Sequence, residues 1–427
     1  MNSQSKKMEL LGSTSIPKAL LAMGIPTMIG MLVNAFYNLV DAYFVGGLGE
    51  SQMGAISVVY PLGQVVVGLG LLFGNGAASY ISRLLGRGDK ENADKVASTA
   101  LYSSVSVGAV IIIISMVFLH PILKLLGATD SILPYAATYA GIYIVSCIFN
   151  VFNVTMNNIV TSEGAAKTTM CALLTGAVLN IALDPLFIYV FDLGVAGAAI
   201  ATAISQVVST CVYLTYIFRK KSVFHFRVKD CTYTKETMSE IFKIGIPTLV
   251  FQILTSVSIS LINNAAGDYG DSAIAGMGVV TRLISMGSLS VFGFIKGFQP
   301  IAGYSYGAKK FDRLREAIKT SILWSTVFCV IFGVILALFP TAIVSQFTKG
   351  DAEMIRIGAA SLRANGISIM LFGFYTVYSS LFLALGKGRE GFILGACRQG
   401  ICFIPVILLL PIVWGLNGIM YAQPIAD

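Results

Sequence analysis

The sequence predicts an all-α polytopic membrane protein: twelve transmembrane helices in two six-helix lobes related by a pseudo-two-fold axis along the membrane normal. Three observations carry this. The 427 residues are 56% hydrophobic and 12% charged, with a mean hydropathy of +0.80, whereas a soluble domain is about a quarter charged. Apolar stretches long enough to cross a bilayer, about 20 residues, recur along the whole chain. One half of the sequence also repeats the other at a constant offset.

The spans fall at roughly 17–46, 52–84, 94–119, 131–158, 165–191, 194–218, 238–267, 272–304, 314–340, 353–384, 389–413 and from 415 onward. The stretch from Gly415 to Asp427 is too short to cross, so the chain is expected to stop inside span twelve, which is truncated. The leading residues Ser3, Gln4, Ser5, Lys6 and Lys7 are polar, and the long apolar run after them reads as a retained first span rather than a cleaved signal. Lys and Arg crowd alternate connections: Arg83, Arg87, Lys90 and Lys95 after span two, Arg219 to Lys229 after span six, and Lys309 to Arg315 after span eight. An excess of these residues marks the cytoplasmic side. The N-terminus and the middle loop are therefore expected there, in a multi-pass protein of the cell (plasma or inner) membrane. The net charge of +8 follows from this loop pattern, so no nucleic-acid partner is expected. Six of the seven Cys lie in apolar segments and none forms CxxC, which suits small packing residues rather than a disulfide or metal site.

Gly24-Ile25-Pro26-Thr27 recurs as Gly245-Ile246-Pro247-Thr248, an offset of 221 residues. The same offset pairs Val58-Val59 with Val279-Val280, Leu62 with Leu283, Phe73 with Phe294, Gly76 with Gly297 and Gly86 with Gly307. Six spans separate the copies, so both halves enter the membrane the same way, as in parallel-repeat transporters. The expected organisation is a lobe at 1–217, a basic linker at 218–235 and a second lobe at 236–427. Pro26 and Pro247 sit inside long spans, where proline interrupts the hydrogen-bond ladder; each reads either as a mobile hinge or as a static kink.

Two carboxylates, Asp41 and Asp184, lie inside spans one and five, each about 10 Å from its helix's outer end at 1.5 Å per residue. Charge at that depth marks an ion pathway or a proton relay. Asn180 precedes Asp184 by one helical turn, and Thr202 in span six lies at a similar depth. Removing carboxyls from water favours their neutral form, and a neighbouring carboxylate adds to that, so the pair suits a proton carrier. The same oxygens of Asp41, Asn180, Asp184 and Thr202 also suit a hard cation such as Na⁺. The sequence leaves the choice open.

Polar stripes run along other helices. Tyr139, Tyr143, Ser146, Asn150, Asn153 and Asn157 share one face of span four, and Asn34, Asn38 and Asp41 share one of span one. Span seven carries Gln252, Ser256, Ser260 and Asn263. Such stripes serve either as interhelical hydrogen bonds or as cavity lining. Candidate cavity residues are Asn34, Asn38, Tyr139, Tyr143, Ser146, Asn150 and Asn153 in the leading half, and Gln252, Ser256, Asn263, Met277 and Arg282 in the second. The second half has no deep acid but holds Arg282, Lys296, Arg363 and Arg398 within its spans, for anionic ligands, helix carbonyls or snorkelling.

No phosphate loop, HExxH or nucleophile–His–acid set is present, so neither catalysis nor a bound cofactor is expected, and any transport draws on an ion gradient. The whole chain resembles the multidrug and toxic compound extrusion (MATE) family. The resemblance rests on Gly-Ile-Pro opening spans one and seven, Asn-Leu-Val-Asp-Ala-Tyr-Phe-Val-Gly at 38–46, Ser-Tyr-Ile-Ser-Arg-Leu-Leu-Gly at 79–86 and Leu-Asn-Ile-Ala-Leu-Asp-Pro-Leu-Phe at 179–187. It implies a monomeric antiporter that exchanges H⁺ or Na⁺ for small lipophilic, often cationic, drugs. Asp41, Asn180, Asp184 and Thr202 match the cation cluster of the family's DinF-type prokaryotic branch, and Asn34, Tyr37 and Tyr139 match cavity neighbours. The alternatives are a flippase for lipid-linked or amphipathic anionic substrates, suggested by Arg282, Arg363 and Arg398 within the spans, and a membrane enzyme or receptor, which the repeat disfavours.

Overall fold

Inside a bilayer the backbone must satisfy its own hydrogen bonds, and helices do so within one segment. In the computed structural model, which describes residues 3–267, 271–347 and 352–426, the apolar segments are all helical, and no strand occurs among the described residues. A short helix α1 (Ser3–Gly12) precedes α2 (Ile16–Gly46), α3 (Glu50–Arg87), α4 (Lys90–Val117), the short α5 (Leu119–Leu125), α6 (Leu133–Ser162), α7 (Ala166–Pro185) and α8 (Gly194–Phe218). The second half comprises α9 (Lys235–Gly267), α10 (Asp271–Gly307), α11 (Phe311–Leu338), the short α12 (Pro340–Ser345), α13 (Ala352–Ala384), α14 (Gly388–Ala396), α15 (Phe403–Trp414) and α16 (Leu416–Ala426). Ten of these helices are long and apolar enough to span. The eleventh span is α14 and α15 joined by a π turn, Cys397–Ile401. Side chains such as Val117, Leu371 and Ile412 point outward, 70%, 72% and 80% exposed, as a lipid-facing surface requires.

The repeat has a structural cause. At the linker end of the bundle α3 crosses α10, and a Cβ on Gly86 would meet the Tyr304 carbonyl while one on Gly307 would meet the Arg83 carbonyl. Since 307 − 86 and 304 − 83 are both 221, the two contacts are one contact seen twice about the pseudo-two-fold axis. Gly245 is pressed against the Leu72 carbonyl, Gly76 against that of Ile241, and Gly297 against Met23 and Gly24. The glycines that recur at constant offset are therefore the points where one lobe's backbone touches the other's. Arg83 also reaches Glu240 at 2.6 Å, and Thr27 donates to the Gly293 carbonyl at 2.6 Å. The turn after α3 repeats too: Gly88 (φ 79°) and its mate Lys309 (φ 57°) both adopt the left-handed conformation.

Helix α1 was not evident from hydropathy because polar groups hold it. Its Lys7 pairs with Glu163 at 3.1 Å, both buried, and also bonds the Tyr216 hydroxyl. Glu163 further accepts from Tyr216, the Ser222 hydroxyl (2.9 Å) and the Val223 amide (2.6 Å). The other end of α1 belongs to the second lobe, where Lys310 donates to the Gly12 carbonyl and Arg313 to those of Leu11 and Thr14. The helix thus straps the two lobes together. The segment after α8 is also ordered, with Val223, Phe224 and Phe226 buried against the leading lobe. Because removing one partner strands a buried charge, Lys7→Met is expected to destabilise the protein by ~3–5 kcal/mol. A thermal-unfolding midpoint in detergent equal to that of the parent protein would refute this.

Candidate functional site

The acids of the leading lobe come together where α2, α7 and α8 meet. Asp184 is wholly buried, and its Oδ1 accepts from Asn180 Nδ2 at 3.2 Å, a nitrogen that also lies 3.5 Å from Thr202 Oγ1. Asp41 and Asp184 lie within electrostatic range of one another and of Tyr37. Asp41 Oδ1, Asn180 Oδ1 and Asp184 Oδ2 are buried with no hydrogen-bond donor among the described residues. Three acceptor oxygens without donors form a set suited to a proton or a bare monovalent cation, since an unsatisfied buried acceptor costs about 1–3 kcal/mol and more if charged. Beside them is a pocket of about 40 Å³ lined by Asn34, Tyr37, Asn153, Asn180, Thr202, Ser205 and Gln206. Just past Asp184, Pro185 ends the α-helical ladder, and a π turn, Leu186–Val190, follows. Such turns gather at functional sites.

A second and much larger cavity, about 500 Å³, lies chiefly in the second lobe and reaches the lobe interface. Pro247, Gln252, Met277, Lys296, Asn365 and Arg398 line it, with Asn75 and Asn158 contributed by the leading lobe. Gln252 donates to Gln64 across the interface at 2.6 Å and Asn75 to Thr248 at 3.0 Å. Helices α2 and α9 pass through Pro26 and Pro247 without a break.

Several expected cavity residues stand elsewhere. The span-four stripe is mostly interhelical bonding. Asn153 donates to the Gln206 carbonyl and side chain (2.9 Å each) and accepts from Thr210 (2.9 Å), while Asn157 reaches the Tyr213 hydroxyl at 3.3 Å. Gln206, Thr210 and Tyr213 carry the same 4, 3 spacing on α8, so two polar stripes zip together and leave no wide lumen. Tyr139 and Tyr143 stack with centroids 5.6 Å apart, and Ser146 bonds back to the Tyr143 carbonyl at 2.7 Å. The buried Asn150 Oδ1 has no partner among the described residues. Asn38 is exposed and bonds back to Asn34. Ser256 bonds back to Gln252 at 3.2 Å and does not line the large cavity. Arg282 and Arg363 are exposed and also outside it, because helical phase turns them away from the lining residues Thr281 and Asn365. The side chains of Ser260 and Asn263 lie outside the described residues.

Residues 26–186 and 247–409 each match the MatE family model, and the two matches begin 221 residues apart. The chain belongs to the MatE family. As a MatE protein it is a multi-pass membrane transporter and not an enzyme. It is 32% identical over 411 residues to the multidrug export protein MepA of Staphylococcus aureus (strain MSSA476), a match covering 96% of this chain and 90% of that protein. To MepA of Staphylococcus saprophyticus subsp. saprophyticus it is 32% identical over 415 residues, 97% and 91% of the two chains. Among solved structures it resembles an outward-facing multidrug resistance MATE family transporter of the MOP superfamily, with a TM-score of 0.92 and 28% identity over 99% of this chain and 94% of that one.

In this MatE chain the cavity residues that the polar-stripe reading overlooked include Asn75, Asn158 and Thr248, besides Thr281, Ser285, Ser288, Gln299 and Asn365. A signal was present for one of them: Asn75 is the repeat mate of Lys296 (296 − 75 is 221), and both line the same cavity. The π turns around residues 186 and 397 left no trace in the periodicity.

Proposed function

We propose that the chain exports lipophilic compounds across the cell membrane, as a monomer, by exchanging a monovalent cation, H⁺ or Na⁺, through alternating access. The observation that carries this reading is the set of buried oxygens on Asp41, Asn180 and Asp184 that lack donors among the described residues. In the ion-loaded state a proton or Na⁺ supplies what the protein does not, and Thr202 completes an all-oxygen shell of the type hard cations take. The ion site and the large cavity lie in different lobes, joined through the close crossings of α2 and α3 with α10 and α9. Loading the acids changes the charge buried in one lobe, which biases how that lobe packs on the other. Pro26, on α2 between the crossing glycine and Asp41, serves as the hinge of the leading lobe, with Pro247 as its mate. The N-terminus and the 219–234 segment face the cytoplasm, because Lys and Arg gather at that end. Closure of the bundle at the linker end then leaves the transporter facing outward.

The test uses purified protein in sealed vesicles, with a lipophilic fluorescent dye as cargo and a pH or a Na⁺ gradient imposed separately. Dye movement should follow one of the two gradients and stop when it is collapsed. Movement indifferent to both gradients would overturn the proposal.

A further inference from the structure

We propose that the large cavity of the second lobe binds the anionic group of an amphiphilic substrate, with Lys296 and Arg398 as its counter-charges. This rests on the export reading above and assigns the chemical class of its cargo: an apolar body bearing a carboxylate, sulfonate or phosphate. The cavity's volume of about 500 Å³ is that of a drug-sized site, about 300–1,000 Å³. Much of its wall is apolar, including Phe251, Ile284 and Phe292. Among the described residues, Lys296 and Arg398 are the only charged ones that line it, and no Asp, Glu or His does. An anion entering meets opposite charge, whereas a cation meets two like charges in a low-dielectric wall.

The geometry places the two cations around one aromatic pair. The Arg398 guanidinium stacks on the Phe372 ring at 4.4 Å from its centroid. Phe372 meets Phe292 edge to face at 5.3 Å. Phe292 precedes Lys296 by four residues on α10, so both sit on one helix face. Lys296 itself donates to the side-chain oxygen of Asn157 in the other lobe. That partner is neutral and takes one of the three protons an ammonium offers. Phe292 lines the cavity and supplies its apolar surface beside the two cations, with the buried Phe372 packed behind it.

The fold does not require these bases. At the repeat offset of 221, Lys296 corresponds to Asn75, and Arg398 falls within Thr175-Gly176-Ala177 when the offset is allowed to reach 223, the spacing between the ends of the two family matches. All are uncharged residues at equivalent places in the same architecture. The acids behave conversely: Asp41 corresponds to Ile262, and Asp184 to the Pro405–Ile407 stretch. The two lobes therefore carry opposite polarity, with cation chemistry in one and anion chemistry in the other.

The test is a binding titration on the full-length protein in nanodiscs, with the anionic dye 8-anilinonaphthalene-1-sulfonate and the cationic dye rhodamine 6G in parallel. Lys296→Met and Arg398→Met should each weaken binding of the anionic dye at least 10-fold, Lys296→Arg should retain it, and the cationic dye should bind no worse in any variant. Unchanged binding of the anionic dye, or equal weakening of both dyes, would overturn the proposal. Short-chain phosphatidylglycerol added as competitor separates the sources. Displacement of the anionic dye assigns a lipid phosphate as the natural head group, and its persistence assigns a free organic anion. No gradient enters the measurement. Failure of gradient-driven transport with a Lys296-dependent anion site would sink the exchanger reading alone, and the reverse pattern would sink this inference alone.

Discussion

Asp184→Asn should reduce gradient-driven efflux to the level of vesicles without protein, while the folded protein becomes no less stable. The two halves of that expectation come from one observation. Asp184 is 0% exposed, and among the described residues only one of its carboxylate oxygens, Oδ1, has a donor. An asparagine of nearly the same shape removes the ionisable group that picks up the ion and removes the demand for an unpaired buried charge, and the latter is neutral to stabilising. Asp41→Asn should behave alike, since Asp41 Oδ1 is also buried with no donor among the described residues. The measurements are dye efflux under an imposed gradient and the thermal-unfolding midpoint of the same preparation. A merely structural carboxylate would show the opposite signature, a lowered midpoint with residual coupled efflux. Either variant exporting at the parent rate would remove the ion site from the mechanism.

Most of the architecture was legible because lipid imposes a simple rule, that a span is long, apolar and helical. Span one drawn at 17–46 is helix Ile16–Gly46, and span six drawn at 194–218 is Gly194–Phe218. What escaped notice did not obey that rule. Helix α1 is polar and is held by Lys7 and by the carbonyls capped by Arg313, contacts between residues far apart in the sequence. The sorting of the four bases within the second-half spans was half legible. Met277, Thr281, Ser285, Ser288, Phe292, Lys296 and Gln299 follow helical spacing and all line the large cavity, whereas Arg282, one residue and about 100° round the helix from Thr281, falls beside that stripe. The span-four stripe was ambiguous in principle, because the residues that answer it lie on α8, and only packing brings Gln206 and Thr210 opposite Asn153.

Gly86→Leu and Gly307→Leu are expected to open the linker end of the bundle and to do so equally. Each glycine admits a carbonyl of the other lobe at the place a Cβ would occupy, Tyr304 for Gly86 and Arg83 for Gly307. The obstacle is backbone on both sides, so no side chain can rotate away to relieve it. Overpacking costs about 1–3 kcal/mol, and here that falls on the linker-closed state, since separation of the helices removes the contact. A penalty of that size on one state shifts a two-state balance about 5- to 150-fold. Alanine should give the low end of that range and leucine the high end, and the double substitution should exceed either single one. Hydrogen–deuterium exchange reports the shift directly, as faster exchange in the last two turns of α3 and α10, while the packing of α5 on the start of α6, Leu123 with Ala136 and Tyr139, stays protected. Efflux should fall by at least tenfold in the leucine variants, because a cycle that must visit both states runs at the pace of the rarer one. Because 86 and 307 are mates under the repeat, the two sites constitute an internal control. Unequal effects would mean that the halves do not share one closing contact, and unchanged exchange in both would mean that the crossing is not a gate.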